Sequence, residues 1–152
     1  MYDYKAKIRR VIDGDTVDVD IDLGFGIWLK DQRIRINGID TPESRTRDKI
    51  EKVFGNASKE FVKKWLPVGS IQVLLTTIDK SGDDKRGKFG RILGDFFFQK
   101  KSVTANPITD TLSNIMIKEG YAVPYSGGNK DNLNVLHLKN RNKLIAEGKV
   151  NV

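Results

Sequence analysis

Between Val17 and Asp22 the chain alternates without a break: Val17, Val19 and Ile21 are apolar, while Asp18, Asp20 and Asp22 are acidic. A strict period of two fits a β-strand with one buried and one wet face, and it fits no helix, whose apolar positions recur every three to four residues. The run commits the first third of the chain to a sheet. Leu23-Gly24-Phe25-Gly26 supplies the glycines of a turn or bulge, and Trp28 to Asn37 returns as a second arm. Ile34 and Ile36 fall on one face of that arm, Arg33 and Arg35 on the other, so Arg33 reads as a solvated surface charge.

Helical spacing begins later. From roughly Asn56 to Trp65, Ala57, Phe61 and Trp65 recur as an aromatic stripe that reads as core, with Lys59 and Lys63 opposite. Pro67-Val68-Gly69 stops this helix, and Ile71 to Thr77 follows as a β-branched strand. A polar stretch from Ile78 to Gly90 leads into a strand, Arg91 to Phe98, whose three phenylalanines should be largely buried. Asn106-Pro107 reads as a helix start and Gly120 as its stop; Asn132 can cap a last helix carrying Leu133, Leu136, Leu144 and Ile145. Strands and helices interleaved without regular βαβ alternation predict an α+β fold, and 152 residues predict a single domain over 1–152.

The chemistry concentrates in two acidic segments, Asp13-Gly14-Asp15-Thr16 and Asp40-Thr41-Pro42-Glu43, joined by the strand that carries Arg35. Asp15 shares the inward parity of the valines. Carboxylates that meet across a hairpin hold a hard divalent cation through oxygen, and a guanidinium between them recognises the phosphate that such a cation also binds. The natural reading is a phosphodiester-cleaving site. Taken singly, the segments also read as a turn and as a capped helix start with Glu43 in its first turn. No cysteine and one histidine, His137, exclude thiolate catalysis, disulfides and Cys- or His-rich zinc sites, so any metal must rely on oxygen. A net charge of +7, from 27 Lys+Arg against 20 Asp+Glu, favours a polyanionic partner, nucleic acid first. With no apolar leader or membrane-length run, the chain reads as soluble, without a membrane partner and, taken as a full translation product, intracellular.

Val11-Ile12-Asp13-Gly14-Asp15-Thr16-Val17, then Arg35-Ile36-Asn37-Gly38-Ile39-Asp40-Thr41-Pro42-Glu43, then Lys88-Phe89-Gly90-Arg91, resemble in order the signatures of the staphylococcal nuclease (thermonuclease) family. The resemblance runs from about Tyr4 to the C-terminal helix. It implies an OB-type five-stranded Greek-key β-barrel with about three helices packed against it. It further implies a calcium-dependent phosphodiesterase, an endo/exonuclease acting on DNA and possibly RNA. Asp15 and Asp40 would bind Ca²⁺ through carboxylates and Thr41 through its carbonyl; Glu43 would be the general base, and Arg35 and Arg91 the phosphate clamp. Lys88, Phe89, Tyr121 and Tyr125 would contact substrate. Phe89 stands where the family often has tyrosine, keeping a stacking face and losing a hydroxyl, and Tyr121 to Tyr125 aligns only loosely. The resemblance implies no protein partner, and the chain reads as a monomer. A non-catalytic nucleic-acid-binding OB module is the alternative from another class, and a protein-interaction domain with an incidental basic face is a third.

Overall fold

The computed structural model describes residues 2–76, 91–100, 108–126, 130 and 132–152. Strands β1 (Tyr2–Asp13), β2 (Thr16–Asp22) and β3 (Trp28–Ile36) form an antiparallel meander; β5 (Ile71–Thr76) adds to the other edge of β1, and β6 (Ile92–Lys100) follows β5. Parallel pairing of Ile34–Ile36 on β3 with Ile92–Gly94 on β6 closes these five strands into a mixed barrel. The expected OB-type α+β architecture is therefore present. β7 (Ile108–Thr111) extends β6, and a short pair, β4 (Ile39–Asp40) with β8 (Val123–Pro124), lies outside the barrel. Helices α1 (Lys49–Trp65), α2 (Leu112–Glu119) and α3 (Leu133–Ala146) complete the described elements.

A sheet of five strands closes only if its strands bend, and bulges supply the bend. One lies between Ile8 and Arg10, where the inward set of β1 passes from Ala6 and Ile8 to Val11; another lies between Val19 and Ile21. The interior is filled by Val17, Val19, Ile34, Ile36, Leu74 and Phe96, and α1 and α2 cover it with Val62, Leu66, Leu112 and Met116. Of the three consecutive phenylalanines only Phe96 is fully buried; Phe97 is half-buried because adjacent strand residues face opposite sides, and Phe98, on the same face as Phe96, packs at the margin of the core against Trp65, ring centres 5.0 Å apart.

The acidic face of β2 is not wet. Asp18 is 5% and Asp20 1% exposed. Pairing places Asp18 opposite Arg33 on β3 and Arg10 on β1, and both guanidinium groups bond its carboxylate: Arg33 Nε at 2.8 Å and Arg10 Nε at 3.0 Å. Arg33 is thus no free surface charge. Asp20 accepts the amide of Asp31 at 2.9 Å, with Arg9 and Lys30 within 3.5 and 3.6 Å. These bonds outweigh burial and hold both carboxyls below their ordinary range.

Two helices start elsewhere than the periodicity suggests. α1 begins about two turns before Asn56, because the Asp48 carboxylate accepts the amides of Ile50 and Glu51 at 3.0 and 3.1 Å. The region expected to open a helix at Asn106 instead contributes β7, since 108–111 pair with the edge of β6; residues 106 and 107 lie outside those described. α2 then starts at Leu112, where Asp95 accepts both the amide and the hydroxyl of Ser113. Gly120 ends it in the left-handed region at φ 88°, as expected. Asn132 precedes α3 but makes no side-chain capping bond.

Gly55, inside α1, explains why the first two turns escape a propensity reading. A Cβ there would stand 2.3 Å from the Glu43 carbonyl oxygen and 2.6 Å from the Ser44 nitrogen. The segment Glu43–Ser44 lies directly on the helix backbone. Gly55→Ala should therefore destabilise the fold: relieving overpacking of this kind costs about 1–3 kcal/mol, against ~1 kcal/mol returned by helix propensity. Thermal unfolding checks this, and a melting temperature equal to or above that of the parent would show that the contact is not rigid.

Candidate active site

The β1–β2 turn, Gly14-Asp15, and the segment after β4 meet at one end of the barrel. Gly14 permits this approach, since a Cβ there would lie 2.9 Å from Ser58 Cβ and 3.2 Å from Thr41 Cγ2. The Ser44 hydroxyl donates to the Asp13 carboxylate and ties the two acidic segments together. Asp40 and Thr41 are buried, at 8% and 3% exposure. Residues 41–48 form a loop that precedes α1, so Glu43 is not in the first turn of a helix. The capped-helix alternative for this segment does not hold.

Arg35 lies opposite Thr16 and is mostly enclosed. Its two terminal nitrogens donate to the carbonyls of Ile36 (2.7 Å) and Ile39 (2.9 Å), and one stands 3.5 Å from Asp15 Oδ2. The other oxygen of Asp15 accepts the Thr16 hydroxyl at 2.9 Å. Arg35 thereby fixes both the turn leading to Asp40 and the orientation of Asp15.

Glu43 opens onto a cleft of ≈ 370 Å³ lined by Ile12, Asp13, Thr16, Arg33, Glu43, Arg45 and Arg91. Partial burial pushes its carboxyl above the ordinary glutamate range, and repulsion from Asp15, Asp13 and Asp40 pushes it the same way. Four carboxylates thus share one field. Burial pushes Asp40 up too, but bonds from His137 Nε2 (2.9 Å) and Lys130 Nζ (3.0 Å) prevail and hold it below its ordinary range.

An all-oxygen, carboxylate-rich donor set under mutual repulsion fits a hard divalent cation. Among the described residues, however, no group of three or more His, Asp or Glu side chains forms a ready cage. Both Asp40 oxygens carry partners of the chain's own, so a cation binding through Asp40 competes with Lys130 and His137.

The site draws on residues that the periodicity passed over. His137 comes from α3, 97 positions after Asp40, and Lys130 from the loop before it; Arg33 and Arg45 line the cleft. No local pattern marks His137, which looks like any polar helix residue. Of the expected substrate contacts, Lys88 and Phe89 lie outside the described residues. The Tyr121 ring stacks on Phe61 at 4.3 Å, against the core. Tyr125 stands beside Lys130, whose ammonium lies 5.2 Å from its ring centre, and its amide donates to Gly38.

Residues 33–146 match the sequence profile of the family described as Staphylococcal nuclease homologue. The thermonuclease of Staphylococcus intermedius is 33% identical over 62% of this chain and 52% of its own length. That of Staphylococcus hyicus is 33% identical over 54% of this chain and 43% of its own. An uncharacterized protein of Methanocaldococcus jannaschii is 28% identical over 80% of this chain and 59% of its length. The chain thus spans about half the length of the thermonucleases it matches. No described helix is long and apolar enough to cross a membrane.

Proposed function

The chain belongs to the staphylococcal nuclease homologue family, and from that premise we propose that it is a calcium-dependent nuclease hydrolysing phosphodiester bonds of DNA and possibly RNA. One observation carries the proposal: Glu43 faces a cleft bordered by Arg33, Arg45 and Arg91, with its carboxyl raised by partial burial and by the charges of Asp15, Asp13 and Asp40. A base poised above the usual carboxylate range accepts a proton more readily near neutral pH. The attacking water forms its bond to phosphorus as the ester P–O bond breaks, its proton passes to Glu43, and the departing alkoxide takes a proton from solvent. Arg91, at the cleft wall, grips a non-bridging oxygen, where charge grows; Arg35, whose terminal nitrogens hold the carbonyls of Ile36 and Ile39, joins it only by releasing one of them to the substrate. Asp15, Asp40 and the Thr41 carbonyl would hold Ca²⁺, which supplies Lewis acidity and lessens the repulsion between phosphate and carboxylates when bound.

A binding module without metal is the second reading, and the occupied oxygens of Asp40 favour it. Titrating calcium into plasmid and RNA digestions separates the two. Cleavage should rise with calcium, saturate, and stop in excess chelator without loss of the circular dichroism spectrum. Lys130→Met removes a competitor for Asp40 and should tighten calcium binding roughly two- to five-fold, the equivalent of the ~0.5–1 kcal/mol of a half-exposed ion pair. Digestion that persists undiminished in chelator would remove the metal from the mechanism. Salt-dependent polynucleotide binding with no cleavage at any calcium concentration would establish the module.

A further inference from the structure

Beyond the cleft that holds Glu43 lies a larger one of ≈ 530 Å³, lined by Ser44, Arg45, Thr46, Arg47, Lys52, Asn56 and Lys59. The two share Arg45, and Ser44 of the second bonds Asp13 of the first, so they form one continuous surface. Its charge differs from that of the other basic face. On β1–β3 the cations Arg9, Arg10, Lys30 and Arg33 are each committed to Asp18 or Asp20. In the second cleft Arg45, Arg47, Lys52 and Lys59 have no ion-pair partner among the described residues, and no carboxylate is among the lining side chains. Of the acids beside these residues in the chain, Asp48 caps α1, Glu51 accepts the Glu43 amide at 3.4 Å, Glu60 pairs with Lys63 at 3.1 Å, and Glu43 lines the neighbouring cleft. Uncompensated charge in a concave surface focuses its field on a polyanion.

We infer that this second cleft binds the phosphodiester backbone of the polynucleotide several nucleotides away from the bond being cut, making the protein prefer long substrates over short ones. The inference rests on the nucleic-acid reading above. It requires spaced anions of one connected strand: hydroxyl and amide donors from Thr46 and Asn56 complement the four cations, and nothing aromatic lines the cleft to stack a base. Binding there is accordingly independent of sequence.

The test uses Arg47→Ala, Lys52→Ala and Lys59→Ala together, leaving Arg45, which also borders the Glu43 cleft. Affinity for a 20-nucleotide single strand is measured in chelator across a salt series, and calcium-dependent cleavage is measured on a dinucleotide and on the 20-mer. Each lost phosphate contact lowers the slope of log K against log salt by ~0.7, so the triple variant should lose about two and bind roughly 10²-fold more weakly at 0.1 M salt. Its kcat/KM should fall on the 20-mer and stay within about twofold on the dinucleotide, which is too short to reach the cleft. An unchanged salt slope in a variant with the parent's melting temperature overturns the inference while leaving the nuclease reading intact. Polyglutamate displacing the 20-mer from the parent better than an oligonucleotide of equal charge also overturns it, in favour of an acidic protein partner. If the parent cleaves nothing, the nuclease reading fails and the salt slope still decides whether the cleft holds a strand.

Discussion

Glu43→Gln should lower single-turnover cleavage by roughly 10²–10⁴-fold, the range expected for loss of a general base, and should at the same time stabilise the fold near neutral pH. The two effects have one cause. Partial burial and three neighbouring carboxylates raise the proton affinity of Glu43 in the folded chain. A carboxyl raised on folding contributes stability that is fully present below its ordinary value and is lost as pH rises through the raised one, because in that window the folded state holds more protons than the unfolded. Glutamine carries no charge to repel, so the variant should melt higher than the parent above that window and no higher below it. The difference should be small, since the side chain opens onto solvent. Cleavage by the parent should rise with pH as Glu43 loses its proton, at a lower pH than the metal-free stability window because bound calcium offsets the repulsion from Asp15 and Asp40, and the acid limb should be absent from the residual activity of the variant. Near-parent turnover in the glutamine variant would assign the proton elsewhere and leave Glu43 with an electrostatic role only.

Arg91→Lys and Arg35→Lys should each lose on the order of 10²–10³ in turnover, by analogy with removing one donor aimed at developing charge. Arg35→Lys should in addition cost stability. Arg91 borders the cleft, so replacing its planar fork by a single ammonium should act on cleavage. Arg35 is mostly enclosed and bonds the carbonyls of Ile36 and Ile39 while standing 3.5 Å from Asp15. Lysine cannot reach both carbonyls, and a buried hydrogen bond to a charged group contributes about 1.5–3 kcal/mol. Arg35→Lys should therefore also lower the melting temperature and loosen calcium binding through Asp15 and Asp40. A melting curve for Arg35→Lys equal to the parent's would mean that the carbonyl bonds of Arg35 are incidental. Arg33 is no neutral control for this comparison, because its fork holds the buried carboxylate of Asp18.

The apolar half of the β2 pattern was legible directly: Val17, Val19 and Ile21 face the core as their spacing requires. The acidic half was not, because what covers Asp18 depends on which residues of β1 and β3 stand opposite it. Register across strands is set by bulges and turns that leave no mark in β2 itself. The first turns of α1 were obscured for a related reason. Gly55 is a poor helix former chosen by the approach of Glu43 and Ser44, and that approach depends on the loop before α1 folding back over the helix, which helical periodicity does not record.

The candidate site divides along the same line. The sequence by itself determined the oxygen character of the donors, the order of the two acidic segments and arginines, and, through these, the family; all are properties of residue type and short spacing. Only the tertiary structure decided that Glu43 lies in a loop and not in a helix, that Asp13 is tied to Ser44, and that Asp40 is bonded by His137 and Lys130. Side-chain direction along a strand or helix repeats every few residues and can be read locally. Which side chains then meet is a matter of barrel closure and helix docking, where contacts as far apart as Asp40 and His137 share one few-ångström space.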